Sequence, residues 1–184
     1  MSKRIAYLAA AAFSALSLTS TFVAPARAEE KTVMVGGAAM YPSKNIIQNA
    51  VNSKDHTTLV AAVKAAGLVQ TLEGKGPFTV FAPTNTAFGK LPAGTVDTLV
   101  KPENKATLTK ILTYHVVPGK LEAADLKDGQ TLKTVEGEQL TVKKSGSSVM
   151  IVDAKGGSST VTIPNVNQSN GVIHVVDTVL MPAS

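Results

Sequence analysis

The stretch Gly76 to Phe88, GPFTVFAPTNTAF, leaves the chain few options. Extended backbone sends alternate side chains to opposite faces, so Phe78 and Val80 share one face, Thr79 and Phe81 share the other, and apolar groups fall on both. Such a strand must be covered from two sides. Pro83 cannot serve in the middle of a ladder and ends it. Thr84 then stands where its hydroxyl can accept a backbone N–H one turn into a helix, with Phe88 placed to fold back onto the core. The spacing predicts a central strand joined to a short helix through one tight corner.

The N-terminus has to be set aside before that strand can be placed. Lys3 and Arg4 are basic, Ile5 to Ala24 is an uncharged run of apolar and small residues, and Ala26-Arg27-Ala28 has the A-x-A form of a peptidase site. This predicts a secretory signal peptide over 1–28, cleaved near Ala28, and a secreted or periplasmic product. No later segment has the ~20 apolar residues that a spanning helix needs. The signal carries three basic residues and no acidic one, so the mature chain has 15 basic against 13 acidic groups. A net charge of +2, with no Lys/Arg cluster interleaved with aromatics, gives no support to nucleic-acid binding. Cysteine is absent, which excludes a disulfide framework and a lipid-modified cysteine. The remaining 156 residues can build one hydrophobic core of ordinary size, and it must suffice alone.

Residues 29–43 have a Gly pair and no clear period, and are expected as an arm laid over the surface or left mobile. Ser43 is placed to cap a helix with Ile46, Ile47, Ala50 and Val51 on one stripe. Asp55 is placed to cap a second, carrying Leu59, Val60, Ala62, Val63 and Ala66 and ending at Gly67. Pro92 and Pro102 each begin a further helical turn, the second running through Leu108, Ile111 and Leu112 into an extended segment, Tyr114 to Val117, closed by Pro118-Gly119. From Gly129 the period shifts from about 3.6 to 2. Strands are expected over 139–143, 149–152 and 160–163, the last stopping at Pro164. Val172 to Leu180 is apolar in both phases and is expected as a second strand buried on both faces, beside Phe78 to Ala82. Helices first and hairpins after argue α+β.

Three blocks resemble the signature segments of the fasciclin domain: Phe78 to Phe88 (FTVFAPTNTAF), Tyr114 to Gly119 (YHVVPG) and Asn170 to Pro182 (NGVIHVVDTVLMP). They stand in the family's order, and the similarity spans 44–182 as one domain. The resemblance implies a wedge-shaped β-sandwich with helices packed along one side. It implies structural roles for Phe78, Thr79, Phe81, Pro83, Thr84, Phe88, Asn170, Gly171, His174 and Asp177. It also places Tyr114 and His115 in the segment implicated in integrin recognition by animal matrix members, which makes this pair the candidate binding residues. Asn165 departs from the pattern, since many members carry an aspartate there.

No arrangement suited to catalysis or metal binding stands out. His56, His115 and His174 share no i,i+2 or i,i+4 spacing, and HExxH, GxSxG, Walker A and GxGxxG patterns are missing. His174 and Asp177 lie three apart on a strand and face opposite sides, so a histidine bonded to a backbone carbonyl and an aspartate bonded to backbone N–H groups are expected. The chain reads as a non-enzymatic module without cofactor or metal, a monomer that adheres to a cell-surface or matrix protein or polysaccharide. The competing reading is a carrier of a lipophilic molecule such as a carotenoid, with the Ala-rich helix from Leu59 to Ala66 against a flat apolar ligand. The low aromatic content, 4% with no tryptophan, offers few side chains for stacking on sugars or polyenes.

Overall fold

The computed structural model describes residues 30–183; the expected signal peptide and its cleavage site lie outside them. The segment expected as a surface arm is a hairpin instead, β1 (Val33–Val35) and β2 (Ala38–Met40). Gly36 and Gly37 take φ of +57° and +75°, the pair of left-handed positions that a two-residue hairpin turn requires. The hairpin is anchored because Val35 and Met40 are buried in the main core. Helix α1 (Ile46–Ala50) starts two residues later than a Ser43 cap would place it. Asn45 and Gln48 form a capping box there, while Ser43 donates to the Glu30 carboxylate. Asp55 lies within a 3₁₀ turn (Lys54–His56) leading into α2 (Thr57–Ala66), which closes at Gly67 in the left-handed conformation. Helix α3 (Val69–Glu73) follows.

The corner after the central strand forms as its sequence demands. Strand β3 (Phe78–Pro83) is buried from Thr79 onward, and the Thr84 hydroxyl accepts the Ala87 N–H at 3.2 Å to start α4 (Asn85–Gly89). Phe88 folds back into the helix-side core. Helix α5 (Thr95–Leu99) and a 3₁₀ turn (Pro102–Asn104) precede α6 (Lys105–Tyr114). Tyr114 is the last residue of that helix and His115 its C-cap, so the extended segment begins only at β4 (Val116–Pro118).

Strands β5 (Thr131–Lys133), β6 (Gln139–Ser145), β7 (Ser148–Val152), β8 (Ser158–Gln168) and β9 (Gly171–Val176) complete one mixed sheet in the order β4-β3-β9-β8-β7-β6-β5. Only β3 and β9 run parallel. Pro164 does not end its strand. Irregular register around Ile163 lets β8 continue past a residue that has no N–H, bending as it leaves β7 for β9. The bend folds the sheet over, and the Val135 N–H donates to the Val116 carbonyl at 2.8 Å, so the two ends nearly meet. This is an α+β fold with two apolar layers. Helices cover one face, meeting Val80, Ala82, Ile173 and Val175; the folded sheet encloses the other, with Phe81, Leu140, Ile151 and Val176 inside.

Two glycines set how closely β3 and β9 approach. A Cβ on Gly171 would stand 2.0 Å from the Phe78 carbonyl oxygen, and one on Gly76 would stand 2.2 Å from that of Asn170. Neither contact leaves room for a side chain.

Candidate functional site

Tyr114 and His115 sit where α6, the folded sheet and the C-terminal segment meet, and both are buried. The Tyr114 hydroxyl donates to the Gln139 carbonyl at 3.1 Å and accepts the Ala154 N–H at 2.8 Å. Burial raises its pKa, an effect that the nearby acidic groups reinforce and the Ala154 bond opposes. His115, a candidate binding residue in the sequence, is not at the surface, because as the helix cap its ring turns inward. Its Nδ1 bonds the Ile111 carbonyl at 2.8 Å, and its Nε2 accepts the Leu180 N–H at 3.0 Å. One ring nitrogen must donate while the other accepts, which holds only for neutral imidazole. Desolvation lowers the His115 pKa to about 4 despite the Ile111 bond. The pair clamps three elements together and offers no side chain to a partner.

The remaining signature residues are also occupied internally. The His174 ring stacks on Phe81, accepts the Asn165 N–H at Nδ1 (3.3 Å) and donates from Nε2 to the Leu121 carbonyl (2.8 Å). Burial is the main cause of its lowered pKa. Asn165 stands at φ +57°, a conformation that asparagine tolerates, and its side-chain oxygen accepts the Ala123 N–H at 2.7 Å. The Thr79 hydroxyl donates to the Gly119 carbonyl and accepts the Leu121 N–H. Asn170 accepts the Ile46 N–H and donates to the Leu72 and Gly74 carbonyls, tying two helices to the β8–β9 turn. Asp177 accepts the Thr160 N–H at 2.8 Å and pairs with Lys90 at 3.6 Å. Partial burial pushes its pKa up, but the Thr160, Thr178 and Lys90 contacts together bring it below the usual value.

Sequence reasoning missed three polar anchors. Asp153 accepts the Lys155, Gly157 and Met181 N–H groups; Asn49 holds both backbone groups of Tyr41 and the Gln168 side chain; and His56 is buried against an apolar cavity. The distant partners, Met181 for Asp153 and Gln168 for Asn49, leave no signal in sequence, whereas the Asp153 bonds to Lys155 and Gly157 and the Ser53–His56 contact are local and could have been read from the turn residues. Among the described residues no group of His, Asp and Glu has the arrangement of a metal site, and no helix is long and apolar enough to cross a membrane.

A two-layer α+β domain whose three signature blocks converge on one parallel strand pair defines a class. The fasciclin-domain family model matches residues 54–182, and the chain belongs to that family. It is 46% identical over 178 residues to Protein sll1483 of Synechocystis, covering 97% of this chain and 95% of that one. It is 35% identical over 195 residues to Immunogenic protein MPB70 of Mycobacterium bovis, covering 95% and 96%. Cell surface glycolipoprotein MPB83 of the same species is 39% identical over 153 residues, covering 80% of this chain and 64% of the relative. The fold resembles that of a FAS1 domain pair from the insect cell adhesion molecule fasciclin I, with a TM-score of 0.68 and 17% identity. That match covers 82% of this chain, which spans 57% of the domain-pair chain.

Proposed function

We propose that the chain is an exported, non-enzymatic fasciclin module that attaches to a cell-surface or matrix protein or polysaccharide through its exposed loops and outer sheet surface. One observation carries this reading. Tyr114, His115, Thr79, Asn170 and His174 are buried and bonded within the fold, so their chemistry is spent on holding the domain together. Recognition is left to the exterior, where loops carried on a rigid scaffold commonly bind partners. The surface association of relatives such as MPB83, and the A-x-A site near Ala28, support export to the periplasm or beyond. The carotenoid alternative gains nothing from the interior, since an extended polyene far exceeds the cavity beside His56, which holds about 60 Å³.

The test is a pull-down of native envelope and matrix components with the mature protein. Specific retention of a protein or polysaccharide by the folded chain, lost on unfolding, is the expected result. Retention of pigment or lipid alone would replace this reading with the carrier.

A further inference from the structure

Between the helical layer and the sheet lies a cavity of about 60 Å³, lined mostly by apolar side chains such as Leu59, Val63, Val80 and Ile173. The polar residues in this lining are Ser53, His56, Thr71, Thr113 and His115, and among them His56 has the buried side-chain atom without a partner. The residue is only 3% exposed, its Nδ1 lies 2.9 Å from the Ser53 hydroxyl, and its Nε2 has no hydrogen-bond partner. Burial lowers the His56 pKa, and the nearby Ala82 backbone opposes that lowering without meeting the geometry of a hydrogen bond to Nε2. We assign the tautomer in which the Ser53 O–H donates to Nδ1, because it gives both groups a partner, and it puts the ring proton on Nε2. A buried donor without an acceptor is costly, and natural folds seldom retain one without a reason.

We propose that this cavity is a binding site for a small neutral molecule with an apolar body and one hydrogen-bond acceptor, anchored by the Nε2–H of His56. The lining excludes a charged ligand, because nothing in it would compensate an ion taken from water. The volume sets the size. A water needs ~10–15 Å³ of such space, so the cavity takes about four or five heavy atoms without rearrangement. A short ketone, aldehyde or alcohol satisfies both limits. The site is separate from the outer surface to which attachment is assigned, and neither reading depends on the other.

The probes are 2-butanone and its hydrocarbon isostere 2-methylbutane, titrated into isotopically labelled mature protein and followed by the amide shifts of the lining residues and the His56 ring nitrogens. Wild type is expected to bind the ketone about tenfold more tightly than the hydrocarbon, the difference made by one hydrogen bond. In His56→Phe this preference should disappear while the unfolding midpoint does not fall. Should that variant not fold, Ser53→Ala decides, because freeing Nδ1 removes the constraint that keeps the proton on Nε2 and should reduce the preference; Ser53 also lines the cavity, so the readout is the ratio of the two probes, which meet the same altered wall. Equal binding of the two probes by wild type, no binding of either, or a preference that survives in the variants overturns the proposal.

Discussion

Phe81 and His174 are register partners across the parallel β3–β9 pair, with ring centroids 5.7 Å apart and planes inclined by 25°. The first and last signature blocks therefore meet as one stacked pair at the centre of the fold. Phe81→Ala should cost about 3–5 kcal/mol in urea denaturation, the loss typical of emptying a large buried aromatic site. A double-mutant cycle with His174 should return a coupling of about 0.5–1.5 kcal/mol. A loss below about 1 kcal/mol for Phe81→Ala would contradict its complete burial.

Acid should weaken the domain before its carboxylates titrate. His115 has a folded pKa of about 4, below the unfolded value of 6.5, so between these values the unfolded chain binds more protons than the native one. Stability from the neutral ring is present above pH 6.5 and is lost as pH falls toward 4, by about 3 kcal/mol at most from this residue. His56 and His174 shift in the same direction and add to the slope. His115→Gln should flatten the stability profile between pH 6.5 and 4; an unchanged slope would mean that the buried ring is not the source.

Asn165 offers a test of what the aspartate that the resemblance leads one to expect there would supply. Asn165→Asp keeps an acceptor for the Ala123 N–H and tolerates positive φ, so stability at pH 7 should change by less than about 1 kcal/mol. Asn165→Ala loses both advantages and should cost about 2–4 kcal/mol, combining an unsatisfied N–H with a strained backbone. Thermal or denaturant unfolding of the two variants checks the order.

A methyl group at Gly171 would meet backbone, which cannot swing aside. Gly171→Ala should therefore separate β3 from β9, cost more than about 3 kcal/mol and yield little folded protein. Ordinary expression and a wild-type midpoint would show that the strands can slide apart cheaply.

Much of this architecture is legible along the chain. The β3 strand, the Thr84 corner and the doubly buried β9 announce themselves through apolar residues in both phases and a hydroxyl at the right offset. The N-terminal hairpin was hidden because its strands have three residues each, too short for a period, although Gly36-Gly37 is itself a hairpin signal. The run of β8 past Pro164 was hidden because a bulge, a tertiary accommodation, excuses the missing N–H. The burial of His115 depends on the Leu180 N–H, 65 residues away in sequence, and no local pattern reports such a partner. The cavity beside His56 is likewise a product of layers meeting.

The central claim is that the tyrosine–histidine block holds the domain together while attachment belongs to the exterior. The direct test measures attachment to native envelope or matrix material and the unfolding midpoint on the same preparations of wild type, Tyr114→Phe and His115→Gln. Tyr114→Phe leaves the Ala154 N–H without its acceptor, and His115→Gln disturbs the bond to Leu180, so each should lose about 1–3 kcal/mol. At a temperature where all three are folded, attachment should be equal. Attachment abolished in either variant with an unchanged midpoint would contradict the claim.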